Sequence, residues 1–105
     1  MKISEAIKIG MQGRTQCRGR YFDLYVKDVT EVKECCALGA AYIGWCVATR
    51  NPFRPFAMGS VFYKFDNLED PDSVRELVKE IVIHWNDKDK LSFDEIIAKL
   101  EERGM

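Results

Sequence analysis

The chain has 105 residues, of which 47% are hydrophobic and 31% charged, and its net charge is −1. These values suit one folded domain covering residues 1–105, and they exclude a disordered tail, a collagen-like fibre and a low-complexity linker. A near-neutral sum also excludes a global field that would draw the chain onto DNA or an anionic membrane.

In chain order, Ser4 is placed to cap a first helix, with Glu5 near its positive end. Ile3, Ile7 and Met11 recur every four residues, and the helix is predicted to end near Gln12 and Gly13. Arg14 to Arg20 then reads as a basic, glycine-containing loop. Tyr21 to Val26 alternates aromatic and β-branched residues as a strand does. Thr30 can cap a second helix from about Glu31 to Trp45, marked by Val32, Cys36, Gly39 and Ile43. From Cys35 onward its other faces are apolar too, which predicts a central, enclosed helix.

Asn51-Pro52 opens a turn, and residues 60–65 read as a second strand pairing with 21–26. Asp70 to Ser73 begins a third helix with the stripe Val74, Leu77, Val78, Ile81 and Trp85. Ser92 and Glu95 form a capping box for a fourth helix that buries Phe93, Ile96, Ile97 and Leu100, and Gly104 ends it. Residues 72–103 therefore form a helical hairpin. The predicted fold class is α+β: a mostly helical single domain of about four helices with a small antiparallel sheet of two or three strands.

Charge is unevenly placed. Residues 1–22 carry five basic side chains and one acidic, whereas residues 66–105 carry twelve acidic and six basic. The two ends can attract one another in the fold, or the basic end can be a contact surface. The longest charge-free stretch, Cys35 to Thr49, is shorter than the roughly 20 apolar residues a membrane span needs. Met1-Lys2-Ile3 leads into a polar start rather than a long apolar run. A cytoplasmic location, with no membrane partner, is the expectation.

The four cysteines are Cys17, Cys35, Cys36 and Cys46. In a reducing compartment they are thiols. No C-x-x-C knuckle is present and there is one histidine, His84, so no metal site and no cofactor is expected. Asp87 to Glu95 superficially resembles the second half of an EF-hand loop. With Glu95 at its last ligand position, however, His84 and Lys88 fall where oxygen ligands are required, and Asp89 falls where glycine is required. Cys17, between Arg14 and Arg18, is the candidate reactive thiol, since a cationic field favours thiolate; an idle loop cysteine is the plainer alternative. No P-loop, G-x-S-x-G or H-E-x-x-H motif occurs, so no catalytic residue is assigned.

Two segments are candidates for binding. Arg14, Arg18 and Arg20, followed by Tyr21, combine guanidinium forks with an aromatic that could stack on a base. Trp45 to Phe56, carrying Arg50, Phe53, Arg54 and Phe56, is a second aromatic–basic stretch, of the composition that dominates protein interfaces if exposed and of the core if not.

Three short segments carry a resemblance: Ile3-Ser4-Glu5-Ala6-Ile7, Cys36-Ala37-Leu38-Gly39-Ala40-Ala41, and Trp85-Asn86-Asp87 with Ser92 and Asp94-Glu95-Ile96. In these the chain resembles a family of small bacterial and phage proteins, domains of unknown function. The resemblance implies a compact, mostly helical domain, a structural helix role for Cys36, and a turn at Asn86-Asp87 that closes the hairpin.

The functional expectation is a small non-enzymatic protein-interaction module, of the kind phage accessory or inhibitor proteins provide, acting on a protein partner. Alternatives are weak nucleic-acid binding through the 13–22 loop, and a thiol-dependent enzyme or redox sensor using Cys17.

Overall fold

The computed structural model describes residues 1–22, 26–58, 64–65 and 73–105. Four α-helices lie among them: α1 (Ile3–Gly10), α2 (Ala37–Thr49), α3 (Ser73–Asp87) and α4 (Phe93–Glu102). The described residues also include two short strands, β1 (Thr15–Gln16) and β2 (Glu34–Cys35), and 3-10 turns at Val29–Glu31 and Pro55–Ala57.

The arrangement is α+β and mostly helical, but the sheet departs from expectation. β1 and β2 pair in parallel, Thr15 opposite Glu34 and Gln16 opposite Cys35. Phe22 adds an isolated antiparallel bridge on Cys35. The anticipated antiparallel sheet is therefore corrected to a parallel pair built from segments read as loop and helix. The expected strands at 21–26 and 60–65 fall largely on 23–25 and 60–63, outside the described residues, as does the helix opening at 70–72.

The second helix also starts later than its spacing suggests. Asp28, not Thr30, caps the turn at Val29–Glu31: its Oδ1 accepts from the Thr30 N–H and hydroxyl, both at 2.9 Å. Residues 33–36 are then held extended from both sides. Thr15 N–H donates to Lys33 O, Cys17 N–H to Cys35 O, and Cys36 N–H to Tyr21 O. Three tertiary backbone bonds outweigh the modest helical preference of Glu31 to Cys36. The helix begins only at Ala37, with Cys36 as its cap: the Cys36 sulfur accepts from Gly39 N–H at 3.4 Å.

α1 begins at Ile3, two residues earlier than a Ser4 cap would place it. Lys2 occupies the cap, and its N–H donates to Glu5 Oε2 at 3.3 Å. Ser4 is instead a buried tie across the molecule, its N–H and hydroxyl both donating to Met105 O. The fourth helix matches its capping box: Glu95 N–H donates to Ser92 Oγ and Ser92 N–H to Glu95 Oε1, each at 3.2 Å.

α2 is the enclosed element, with every residue from Ala37 to Gly44 buried. α1 crosses it at backbone contact along a seam of small residues, Ala6 and Gly10 against Ala40 and Gly44. A methyl group at Gly10 would lie 1.8 Å from Ala40 O, and one at Gly44 would lie 1.8 Å from Ala6 O. Only hydrogen fits at either position. At the other end of α2, a methyl on Gly39 would meet Tyr21 O at 2.3 Å. Ile3, Ile7, Leu38, Ile43, Val82, Ile96 and Leu100 close the core around this seam. Each such side chain contributes about 1.5–3 kcal/mol by leaving water.

Candidate functional site

The basic loop does not extend into solvent. It docks on the turn between α3 and α4, and Asn86 is the fastening. Asn86 lies four residues after Val82 on the buried stripe of α3 and is 1% exposed. Its Oδ1 accepts from Gln16 Nε2 at 2.7 Å and from Ala37 N–H at 3.1 Å. Its Nδ2 donates to Cys17 O at 2.9 Å and to Asp87 Oδ1 at 2.7 Å. One amide thus joins β1, the first turn of α2 and the end of α3. A buried amide with all its hydrogen-bonding capacity met is an effective register pin, because each lost bond strands a buried partner.

Neighbouring contacts extend the attachment. Gly19 N–H donates to Asp87 Oδ1 at 3.0 Å, Gln16 Nε2 also donates to Leu91 O at 2.8 Å, and Arg18 Nη2 donates to Lys90 O at 2.8 Å. The turn itself contains Lys90 in the left-handed region at φ 54°.

The three arginines of the loop do different work. Arg14 donates to four main-chain carbonyls: Val32 O, Gly10 O, Gln12 O and Val29 O. It ties the end of α1 to the 3-10 turn. Arg18 meets the α3–α4 turn as described. Arg20 pairs with Glu34 at 2.7 Å on the surface, and hydrogen bonding to Cys17 and then to Glu34 raises its affinity for its proton. Tyr21 O accepts from Cys36 N–H at the cap of α2, and Tyr21 lines the cleft described next.

That cleft, about 240 Å3, opens between the loop at 19–21, the start of α2 and the end of α3. Leu38, Val82 and Ile83 form its apolar wall, and Cys36, Asn86 and Asp87 its polar one. A shallower depression of about the same volume is lined by Arg20, Glu31, Lys33 and Glu34, whose charges offset one another.

Burial controls the thiols. Cys35 is pushed up to about 12 and Cys36 to about 11, both chiefly by desolvation, and Cys46 is raised for the same reason. These three stay protonated at neutral pH. Cys17 is half-buried, and its sulfur donates to Arg20 O at 3.4 Å. His84 lies on the surface, 3.3 Å from Asp89. Among the described residues no group of three or more His, Cys, Asp or Glu side chains could hold a metal ion. No helix among them is long and apolar enough to cross a membrane.

The second candidate segment lies at the far end of α2. Arg50 ends the helix in the left-handed region at φ 58°, its N–H donating to Cys46 O. Phe53 turns inward, its ring 5.3 Å from Phe22 and 5.7 Å from Tyr42. The buried Tyr42 hydroxyl donates to Arg54 O at 2.5 Å and accepts from Arg54 N–H at 2.8 Å. The backbone at Arg54 is thus clamped. Beyond it Phe56 is 93% exposed, and Val47 on the last turns of α2 is 51% exposed. Arg50 and Arg54 are exposed as well.

The sequence pointed to Arg50, Phe53, Arg54 and Phe56 as one aromatic–basic stretch, but not to Asn86 as a site residue. Asn86 had a readable signal, a polar residue at helical spacing on an apolar stripe. For Phe56 the composition left anchor and core both open, and its 93% exposure is what the fold adds. No protein-family model, no curated protein and no solved structure matches the chain.

Proposed function

We propose that the protein is a small interaction module that docks on a protein partner through residues 47–56. The observation that carries this reading is Phe56, a whole aromatic ring left in water at 93% exposure. Scattered surface aliphatics are ordinary, but an aromatic beside two exposed arginines has the composition of an interface anchor. The Tyr42 clamp on Arg54 supports it further. A segment already held in one conformation loses less entropy when it binds.

The chemistry defines the partner: an apolar socket for Phe56, rimmed by carboxylates for Arg50 and Arg54. The loop arginines lend less support to a nucleic-acid reading, since Arg14 and Arg18 donate to main-chain carbonyls and Arg20 pairs with Glu34. The test is affinity capture from cells of the source organism, with wild type beside Phe56→Ala and Arg54→Glu. The expected result is one stoichiometric protein retained by wild type, weakened by salt and lost from both variants. Equal capture by all three, or co-purification of nuclease-sensitive nucleic acid in place of protein, would overturn the reading.

A further inference from the structure

The parallel pair brings two cysteines together that are far apart in sequence. Thr15 N–H donates to Lys33 O at 3.0 Å, and two residues later Cys17 N–H donates to Cys35 O at 3.0 Å. The paired register ends at Gln16 opposite Cys35, and the Cys17–Cys35 bond leaves Cys17 next to Cys36 at the open end of the pair, where the Asn86 amide spans Cys17 O and Ala37 N–H. Cys36 is still extended, at φ −81° and ψ 178°. Paired strands lie about 4.8 Å apart, and Cys17 and Cys36 are the residues that follow the last paired positions of the two strands. A disulfide spans roughly 4.4–6.8 Å between α-carbons, a range that allows for strands parting just beyond their last pair. Cys35, one residue away, projects to the other side and is fully buried.

The two thiols differ in setting. Cys17 is half-buried beside the Arg20 guanidinium, open to a small oxidant. Cys36 is 5% exposed at the wall of the 240 Å3 cleft, and its sulfur already accepts a hydrogen bond from Gly39 N–H at the start of α2. Burial holds its proton.

We propose that Cys17 and Cys36 form a peroxide-oxidisable dithiol, in which Cys17 is oxidised first and Cys36 closes the disulfide. In the first step the Cys17 sulfur attacks one peroxide oxygen. An S–O bond forms, the O–O bond breaks, and the leaving hydroxide takes up the thiol proton as water. Sulfur is oxidised to sulfenic acid and hydrogen peroxide is reduced. In the second step the Cys36 sulfur attacks the Cys17 sulfur. The S–S bond forms, the S–O bond breaks, and hydroxide departs with the Cys36 proton as a second water. One peroxide and two thiols give one disulfide and two waters. The product removes the S–H that Cys17 donates to Arg20 O, and so alters the joint between the basic loop and α2.

The test treats the full chain with stoichiometric hydrogen peroxide, removes the excess with catalase, then counts thiols by maleimide labelling in denaturant and intact mass. The reduced chain takes four labels. Oxidation is expected to remove two labels together, reversibly with dithiothreitol and without a dimer on a non-reducing gel. Cys17→Ser should abolish the loss, Cys36→Ser should reduce it to one label, and Cys35→Ala should leave it at two. Cys36→Ser keeps an oxygen at the helix cap, so its fold is retained and checkable by circular dichroism. Full labelling of oxidised wild type, a two-label loss that survives Cys36→Ser, or a disulfide-linked dimer would each overturn the proposal.

Discussion

The two ends of α2 solve opposite problems. Its first turn is tied by Asn86 to β1 and α3, inside a network where the buried amide has a partner for each bond. Beyond its last turn, Tyr42 and Phe53 hold a segment whose tip, Phe56, touches solvent almost everywhere. The first end uses polar groups to fix the fold. The second uses the fold to hold an apolar group outside it. A residue's chemical class therefore says little here about its job: the amide is structural, and the aromatic is the exposed feature.

Substitutions should separate these roles by size of effect. The seam beneath both ends is the least forgiving place. Gly44→Ala drives a methyl to 1.8 Å from Ala6 O, main chain that cannot rotate away, so α1 and α2 must separate. A loss of about 3 kcal/mol is expected from urea unfolding, the upper part of the overpacking range. Asn86→Ala follows. It strands Ala37 N–H and Cys17 O in the interior, and a loss of about 2–3 kcal/mol is expected, with faster amide exchange through 15–20. If Asn86→Ala were neutral, the fastening of the basic loop would lie elsewhere.

At the opposite end, Tyr42→Phe removes both bonds to Arg54 while keeping the ring in place. About 1 kcal/mol should be lost, with exchange quickening at 50–56 rather than at 15–20. The same tyrosine contributes to a pH limit. Cys36 ionises in the fold only near about 11, and Cys35 and Tyr42 only near about 12, because burial disfavours the anion. Unfolded cysteine ionises near 9.0, the value burial displaces. The stability these groups confer is complete below about pH 9 and is lost as pH rises through 11 and 12. Alkaline titration should show unfolding in that window, and Cys35→Ala should shift its onset upward. Phe56→Ala is expected to have the smallest effect, under about 0.5 kcal/mol, since nothing in the fold depends on an exposed ring.

How far the sequence foretold this varies with the length of the signal. α4 was readable because Ser92 and Glu95 state its start and four apolar residues its face. The enclosure of α2 was readable because no charge occurs from Cys35 to Thr49. β1 and β2 were not, since two residues cannot display a period of two, and the backbone bonds that hold them join segments distant in sequence. Arg14 and Arg18 read as ligands because an arginine fork suits phosphate, yet the same fork suits the carbonyls of a helix end and a turn. Sequence gives the donor and leaves the acceptor to the fold.

The central claim is that the exposed tip at Phe56 meets a partner directly. It is tested most directly by photo-crosslinking in cells, with Phe56→p-benzoylphenylalanine beside the same photoreactive group at exposed Glu102 on α4. The expected result is a single protein adduct from position 56 and none from position 102. Its yield should fall when Arg54→Glu is added. No adduct at position 56, or the same adducts from both positions, would contradict the account.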